Sequence, residues 1–522
     1  MKTGIVSPLN RRGFLKAGVV LGGGIAGGMP LSQVIWAAEG KVLKVRSSGD
    51  PSKLDPAFLT QAAEVDLMNC IYSKLTRYKP GSEWGWELEA AEKIEQIDPT
   101  HIRFRLKKGI KFTGGYGEMT AKDVKFSFDR AVKLNGTTKP DWGPLDHVEL
   151  EDDYTGVIVF KTPYVPVWLV SLPYGAGQIV SQNAVMKATK DGGDFGTRLI
   201  AFSGPYVLAD WKPKQYIVLT RNPEWSGPKP GFDEIRIVPI ADAKAAERAY
   251  QASDVDFSNI SLDSLSGFKS NPPANTVVEK RPSLGYTWIG MNMDHPKLKD
   301  INVRKGIQWA INVPQILEAA YSGQADVATG TIAPGLVGRR AKALVPPEGD
   351  LAKAKEFLEK AGVSDLTLSI DCTNDSLNST IAQTVQAQLS QIGISVEVNA
   401  RDSGTFWSLG NNPEDYQLIL NSFTSLPDPY YATCWFTEDQ VGVWNWERFR
   451  SKRFDELGAK AITIDDPDAR AKLYYEMQDL MEESGAYRFL TNGATPVVYR
   501  TTLVEAATRP DGNPLFLDFK PV

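Results

Sequence analysis

The stretch Leu366-Thr367-Leu368-Ser369-Ile370, followed by a helical run and then Ile394-Ser395-Val396-Glu397-Val398, decides the fold of this chain. Both flanking pieces are short and β-type. Between them Ile381, Val385, Leu389 and Ile392 recur at helical spacing, and Gly393 supplies a C-terminal stop. Parallel strands need such a helical crossover, so strand, helix, strand predicts an α/β unit. The pattern continues outward. Upstream, Val303, Ile307, Ala310 and Ile311 form one apolar helix face, and Leu351 to Ala361 reads as a helix stopped by Gly362. Downstream, Gln417 to Leu420 reads as a strand, and a helix starts at Asp466-Pro467, where Asp caps and Pro takes the first turn. The second half is therefore predicted as α/β with a largely parallel sheet.

The first half reads differently. Lys41 to Arg46 is a short β-type run that ends in Ser47-Ser48-Gly49-Asp50-Pro51. Trp86 to Lys111 is hairpin-like, with alternation in His101-Ile102-Arg103-Phe104-Arg105-Leu106. Thr120 is placed to cap a helix, with Asp123 closing a capping box. A further β-rich portion covers Tyr206 to Ile240, broken at Asn222-Pro223.

The N-terminus carries Asn10-Arg11-Arg12-Gly13-Phe14-Leu15-Lys16, an apolar, glycine-rich run from Ala17 to Met29, and then Ile35-Trp36-Ala37-Ala38. The apolar run is about half the length needed to span a bilayer, so residues 1–38 read as a cleaved export peptide. The basic pair resembles the twin-arginine class of bacterial signal, with Asn10 where that class has Ser or Thr. Gly22-Gly23-Gly24-Ile25-Ala26-Gly27 fits a dinucleotide-binding fingerprint, but it lacks the preceding strand that gives that motif meaning.

Composition narrows the classes. The chain is 42% hydrophobic and 23% charged, an ordinary soluble balance. Its formal charge is −5; setting aside Lys2, Arg11, Arg12 and Lys16 of the leader leaves −9. Such an acidic protein is a poor nucleic-acid binder. Cys70, Cys372 and Cys434 allow at most one disulfide, and the pairing is left open. The three histidines are far apart, so neither a catalytic metal nor any other cofactor is expected.

Several segments, in order, resemble the periplasmic solute-binding proteins of the peptide/nickel/opine class (family 5) of ABC importers. They are Lys53-Leu54-Asp55-Pro56-Ala57, Ile71-Tyr72-Ser73-Lys74-Leu75, Lys107-Lys108-Gly109-Ile110-Lys111-Phe112, Ser203-Gly204-Pro205-Tyr206, Arg221-Asn222-Pro223-Glu224-Trp225, Pro427-Asp428-Pro429 and Phe454-Asp455-Glu456-Leu457. The resemblance implies a two-lobed periplasmic binding protein fold with a discontinuous first lobe and a hinged cleft. It places the first lobe at residues 39–290 plus 496–522, with a β-rich insertion at about 80–204, and an α/β second lobe at 291–495. It also implies a monomer that captures a peptide, opine or sugar ligand and delivers it to membrane permease subunits, with no reaction catalysed.

Within that frame the ligand is expected at strand ends. In peptide binders of the family, a carboxylate four residues before the Pro that follows Asp pairs with the peptide amine. Here that position is Ser425, in Phe423-Thr424-Ser425-Leu426-Pro427-Asp428, and Asp428 is expected to fix the turn. Phe423, Thr424 and Ser425 are candidate contacts. So are Ser48, Gly49 and Asp50 at the end of the first strand, and Trp288 before the first crossover. Trp444-Asn445-Trp446 completes the set: if extended, both tryptophans point one way and form a stacking wall. The rival reading from another class is a glycoside hydrolase that uses paired acids and tryptophans.

Overall fold

The computed structural model describes residues 40–197 and 200–522. The leader at 1–38 lies outside the described residues. Two sheets organise the rest. The first has seven strands in the order Tyr206–Lys212, Tyr216–Arg221, Glu234–Pro239, Val42–Ser47, Phe257–Asn259, Ala494–Arg500, Thr276–Pro282. The second has five, in the order Ile394–Arg401, Leu366–Thr373, Leu418–Thr424, Gly285–Met291, Tyr487–Thr491.

The chain passes directly from one sheet to the other twice. Thr276–Pro282 runs through Ser283 and Leu284 into Gly285–Met291. Tyr487–Thr491 runs through Asn492 and Gly493 into Ala494–Arg500. Both crossings are therefore short and adjacent to strand ends, which is what a hinge requires.

The stretch around Ile381 folds as its pattern demands. Leu366–Thr373 pairs in parallel with Ile394–Arg401, from Leu366↔Ile394 to Thr373↔Arg401. The connecting helix Ser376–Ser390 buries Ile381, Ala382, Val385 and Leu389. These residues join Ile289, Leu368, Ile370, Val396 and Leu418 in one core. The sheet is less parallel than expected. Gly285–Met291 runs antiparallel to both Leu418–Thr424 and Tyr487–Thr491. It enters from the other sheet through a two-residue link.

A third, four-stranded antiparallel sheet in the first half contains Ala91–Asp98, His101–Leu106, Thr155–Phe160 and Leu145–Leu150. Helix Ala121–Lys133 packs on it through Val124 and Phe128. The predicted capping box is present: the Asp123 carboxylate accepts from Thr120 N at 3.0 Å. All three cysteines are free thiols. Among the described residues, no helix is long and apolar enough to cross a membrane.

Candidate ligand-binding cleft

Parallel strands of both sheets end toward the two crossovers. In the first sheet Val42–Ser47, Glu234–Pro239 and Phe257–Asn259 are parallel and end on the same side. In the second, Leu418–Thr424 ends with Thr424 opposite Gly285, immediately after the Ser283–Leu284 link. Carboxyl ends of strands are where open α/β sheets take ligands.

An aromatic wall stands at the end of Leu418–Thr424. Phe423 is half-buried, lies nearly parallel to Trp407 (centroids 6.3 Å apart, 16°) and meets Trp444 edge-on at 5.9 Å. Trp435 meets Trp444 at 5.9 Å. Trp407 and Trp444 are each 40% exposed, a large apolar area to leave in water. A second layer backs them. Trp446 is buried, lies 5.6 Å from Trp407 and donates its indole N–H to Val443 O at 3.0 Å. Trp288 is buried, packs 5.0 Å from Phe423 and donates to Glu447 Oε1 at 2.7 Å.

This placement sorts the predicted contacts. Trp444, Phe423 and Thr424 are accessible, whereas Trp288, Asn445 and Trp446 are buried. The segment from Gln440 to Arg448 is a compact turn, closed by Val443 N and Asn445 N donating to Gln440 O. The extended geometry that would aim both tryptophans one way does not form. Asn445 staples this turn: its amide donates to the carbonyls of Phe436 and Phe449 (3.0 and 2.7 Å), and its Oδ1 accepts from Phe449 N. Ser425 is also buried. Its N–H donates to Leu284 O at 3.0 Å and its hydroxyl to Leu426 O at 2.8 Å, so it ties this loop to the crossover. Ser48 is exposed, and Gly49 and Asp50 are half-buried. One carboxylate oxygen of Asp50, Oδ1, is buried without a hydrogen-bond partner. Trp407 and Trp435 were not legible as site residues, because only tertiary packing brings their rings to Phe423 and Trp444.

Asp428 is structural. It accepts from Tyr430 N at 2.9 Å and forms a bidentate pair with Arg470, both contacts 2.8 Å, with both side chains buried. Coulombic attraction from Asp428 raises the Arg470 pKa against the opposing effect of burial.

The halves touch at several points. Trp84 packs against the cluster that contains Tyr286 and Leu336. Tyr431 donates its hydroxyl toward Asp141 Oδ1 at 3.3 Å, and burial pushes that carboxyl up to about 7. Lys280 pairs with Asp326 at 2.9 Å.

Comparison with known proteins agrees with this geometry. The model of the bacterial extracellular solute-binding proteins, family 5, matches residues 86–442. The chain is 26% identical over 463 residues to the probable D,D-dipeptide-binding periplasmic protein DdpA of Escherichia coli (strain K12), covering 86% of this chain and 88% of that one. It is 28% identical over 483 residues to the oligopeptide-binding protein AppA of Bacillus subtilis (strain 168), covering 87% and 86%. Among solved structures, HbpA2 from Haemophilus parasuis superposes with a TM-score of 0.79 at 21% identity, over 92% of this chain and all of that one. MoaA from A. tumefaciens R10 in complex with mannopinic acid gives 0.75 at 23% identity, over 92% and 99%.

Proposed function

Because the chain belongs to the bacterial extracellular solute-binding proteins of family 5, we propose that it captures a peptide or an opine-like amino-acid conjugate by closing two lobes around it. It is the extracytoplasmic solute-binding component of an ABC importer, and it has no enzymatic role; the glycoside hydrolase reading falls with the family assignment. The lobes we assign are residues 40–282 with 494–522 and residues 285–491, hinged at the two crossovers, which shifts the expected bounds at 290 and 495 to the ends of the crossing strands. Residues 1–38 are assigned as a twin-arginine-type leader, the protein as a monomer, and its partners as the membrane permease subunits.

The observation that carries the ligand reading is the accessible wall of Trp407, Phe423 and Trp444 at a strand end, beside a loop where Ser425 stands in place of an acid. Dipeptide and oligopeptide binding in the named relatives, and mannopinic acid in one structural neighbour, point to the same solute classes. Moving such a receptor from mostly open to mostly closed takes about 5 kcal/mol of differential binding.

The test is a thermal-shift screen of dipeptides, longer peptides, opine conjugates and oligosaccharides. A true ligand at 100 times its Kd stabilises by about 2.7 kcal/mol. Trp444→Ala is expected to weaken the best ligand by about tenfold, in line with loss of one stacking aromatic. If no peptide or opine shifts the melting curve while oligosaccharides do, the solute assignment is wrong.

A further inference from the structure

One carboxylate of the first lobe is left over when its neighbours are paired off. Asp66 lies on helix Ala62–Ile71, and its side chain makes no hydrogen bond or ion pair among the described residues. The charges around it are otherwise matched. Arg509 chelates Asp511 at 3.1 and 2.9 Å. Lys74 pairs with Glu89 at 3.3 Å and donates to Asn69 Oδ1 at 2.9 Å. Arg77 pairs with both Glu87 and Asp518. Asp66 is half-buried, and burial pushes its carboxyl up to about 7, despite the opposing pull of Arg509. Its carboxylate is therefore available to a partner that the chain itself does not supply.

The space beside it suits one. Asp66 borders a cavity of about 110 Å³ together with Ser47, Ser48, Asn259 and Asn513. This cavity lies at the carboxyl ends of Val42–Ser47 and Phe257–Asn259, on the side where the chain crosses to the second lobe. Its lining is rich in oxygen acceptors. Arg46 borders the same space, but its guanidinium donates to the carbonyls of Ile240, Ala241 and Asn259 at 2.9, 3.3 and 3.4 Å. It ties the strand ends together and forms no ion pair with Asp66. An ammonium carries three donors and no acceptor, so a carboxylate, a hydroxyl and an amide oxygen satisfy it completely.

We propose that this cavity is a subsite for a primary ammonium group of the captured solute, with Asp66 as its counter-charge. The inference rests on the reading of the chain as a receptor for an amine-bearing solute, and the test separates the two. Asp66→Asn keeps the shape and removes the charge; since the carboxylate holds nothing in place, the variant is expected to fold. Three probes are used on wild type and variant: methylammonium against tetramethylammonium at equal ionic strength, L-alanyl-L-alanine, and its N-acetylated form. Methylammonium is expected to raise the melting temperature of the wild type alone, and tetramethylammonium, which has no N–H, to have no effect. Dialanine is expected to bind Asp66→Asn about tenfold more weakly than wild type, the scale of one charge-assisted hydrogen bond, while the acetylated form binds both proteins equally. The subsite is overturned if the two cations act alike on wild type, if the variant keeps the methylammonium response, or if it binds dialanine unchanged. If dialanine fails on both proteins but the methylammonium response is intact and Asp66-dependent, the peptide reading fails and the subsite stands.

Discussion

Asp428→Ala is expected to destabilise the protein by about 3–5 kcal/mol, because it strands Arg470 as an uncompensated buried charge. The guanidinium would keep its contact with Ala461 O at 2.8 Å but lose both carboxylate contacts. The same change removes the acceptor for Tyr430 N, so the loop from Ser425 to Tyr430 loses its anchor at the edge of the aromatic wall. Denaturant unfolding followed by tryptophan fluorescence measures the loss, with m-values checked because two lobes need not unfold together. Pairing the change with Arg470→Met is expected to recover much of the stability, since an apolar replacement for a buried pair often costs little. A loss below about 1 kcal/mol for Asp428→Ala alone would mean that water reaches Arg470 and that the pair is not what holds the loop.

Glu447→Gln is expected to abolish a large pH dependence. Glu447 is fully buried, receives the Trp288 indole N–H on Oε1, and has no partner for Oε2. Burial holds its carboxyl up at about 7, against an ordinary value of 4.5. Gly290 makes the site possible, because a Cβ there would come within 2.0 Å of Oε1. The folded protein binds this proton more tightly than the unfolded chain. Its contribution is therefore complete below about pH 4.5 and is lost as pH rises to about 7. By linkage the loss is about 3 kcal/mol at alkaline pH. Glutamine keeps the acceptor for Trp288 and cannot ionise. The difference in unfolding free energy between variant and wild type, measured at pH 5 and pH 8.5, should shift by that amount in favour of the variant. Parallel profiles would show that Glu447 does not titrate across this range. Comparison with wild type is needed because Asp141 is raised in the same direction.

Local rules carried a good part of the architecture. The strand–helix–strand stretch from Leu366 to Val398, the Thr120 capping box and the Asp466-Pro467 helix start all fold as read, since each depends on residues a few positions apart. The cleft was legible only in outline. The pattern reads the strand as Gln417 to Leu420, whereas it runs from Leu418 to Thr424; Phe423, Thr424 and Trp444 are named through the family resemblance. Trp288 and Trp446 could not be told from ligand-stacking residues, because a tryptophan reads the same in sequence whether its ring faces solvent or core.

The sequence by itself determined the class of fold through periodicity and caps, and its ordered short motifs carried the resemblance that implies the family and its non-catalytic role, because all of these are local signals repeated along the chain. The tertiary structure alone decided which side chains are left free for a solute. It turned Asn445 into a staple and Asp428 into half of a buried pair, and it gathered Trp407 with Phe423 and Trp444. It also left Asp66 beside a cavity with no hydrogen-bond partner among the described residues. Burial and pairing are settled by contacts between distant segments, and no spacing in the chain encodes them.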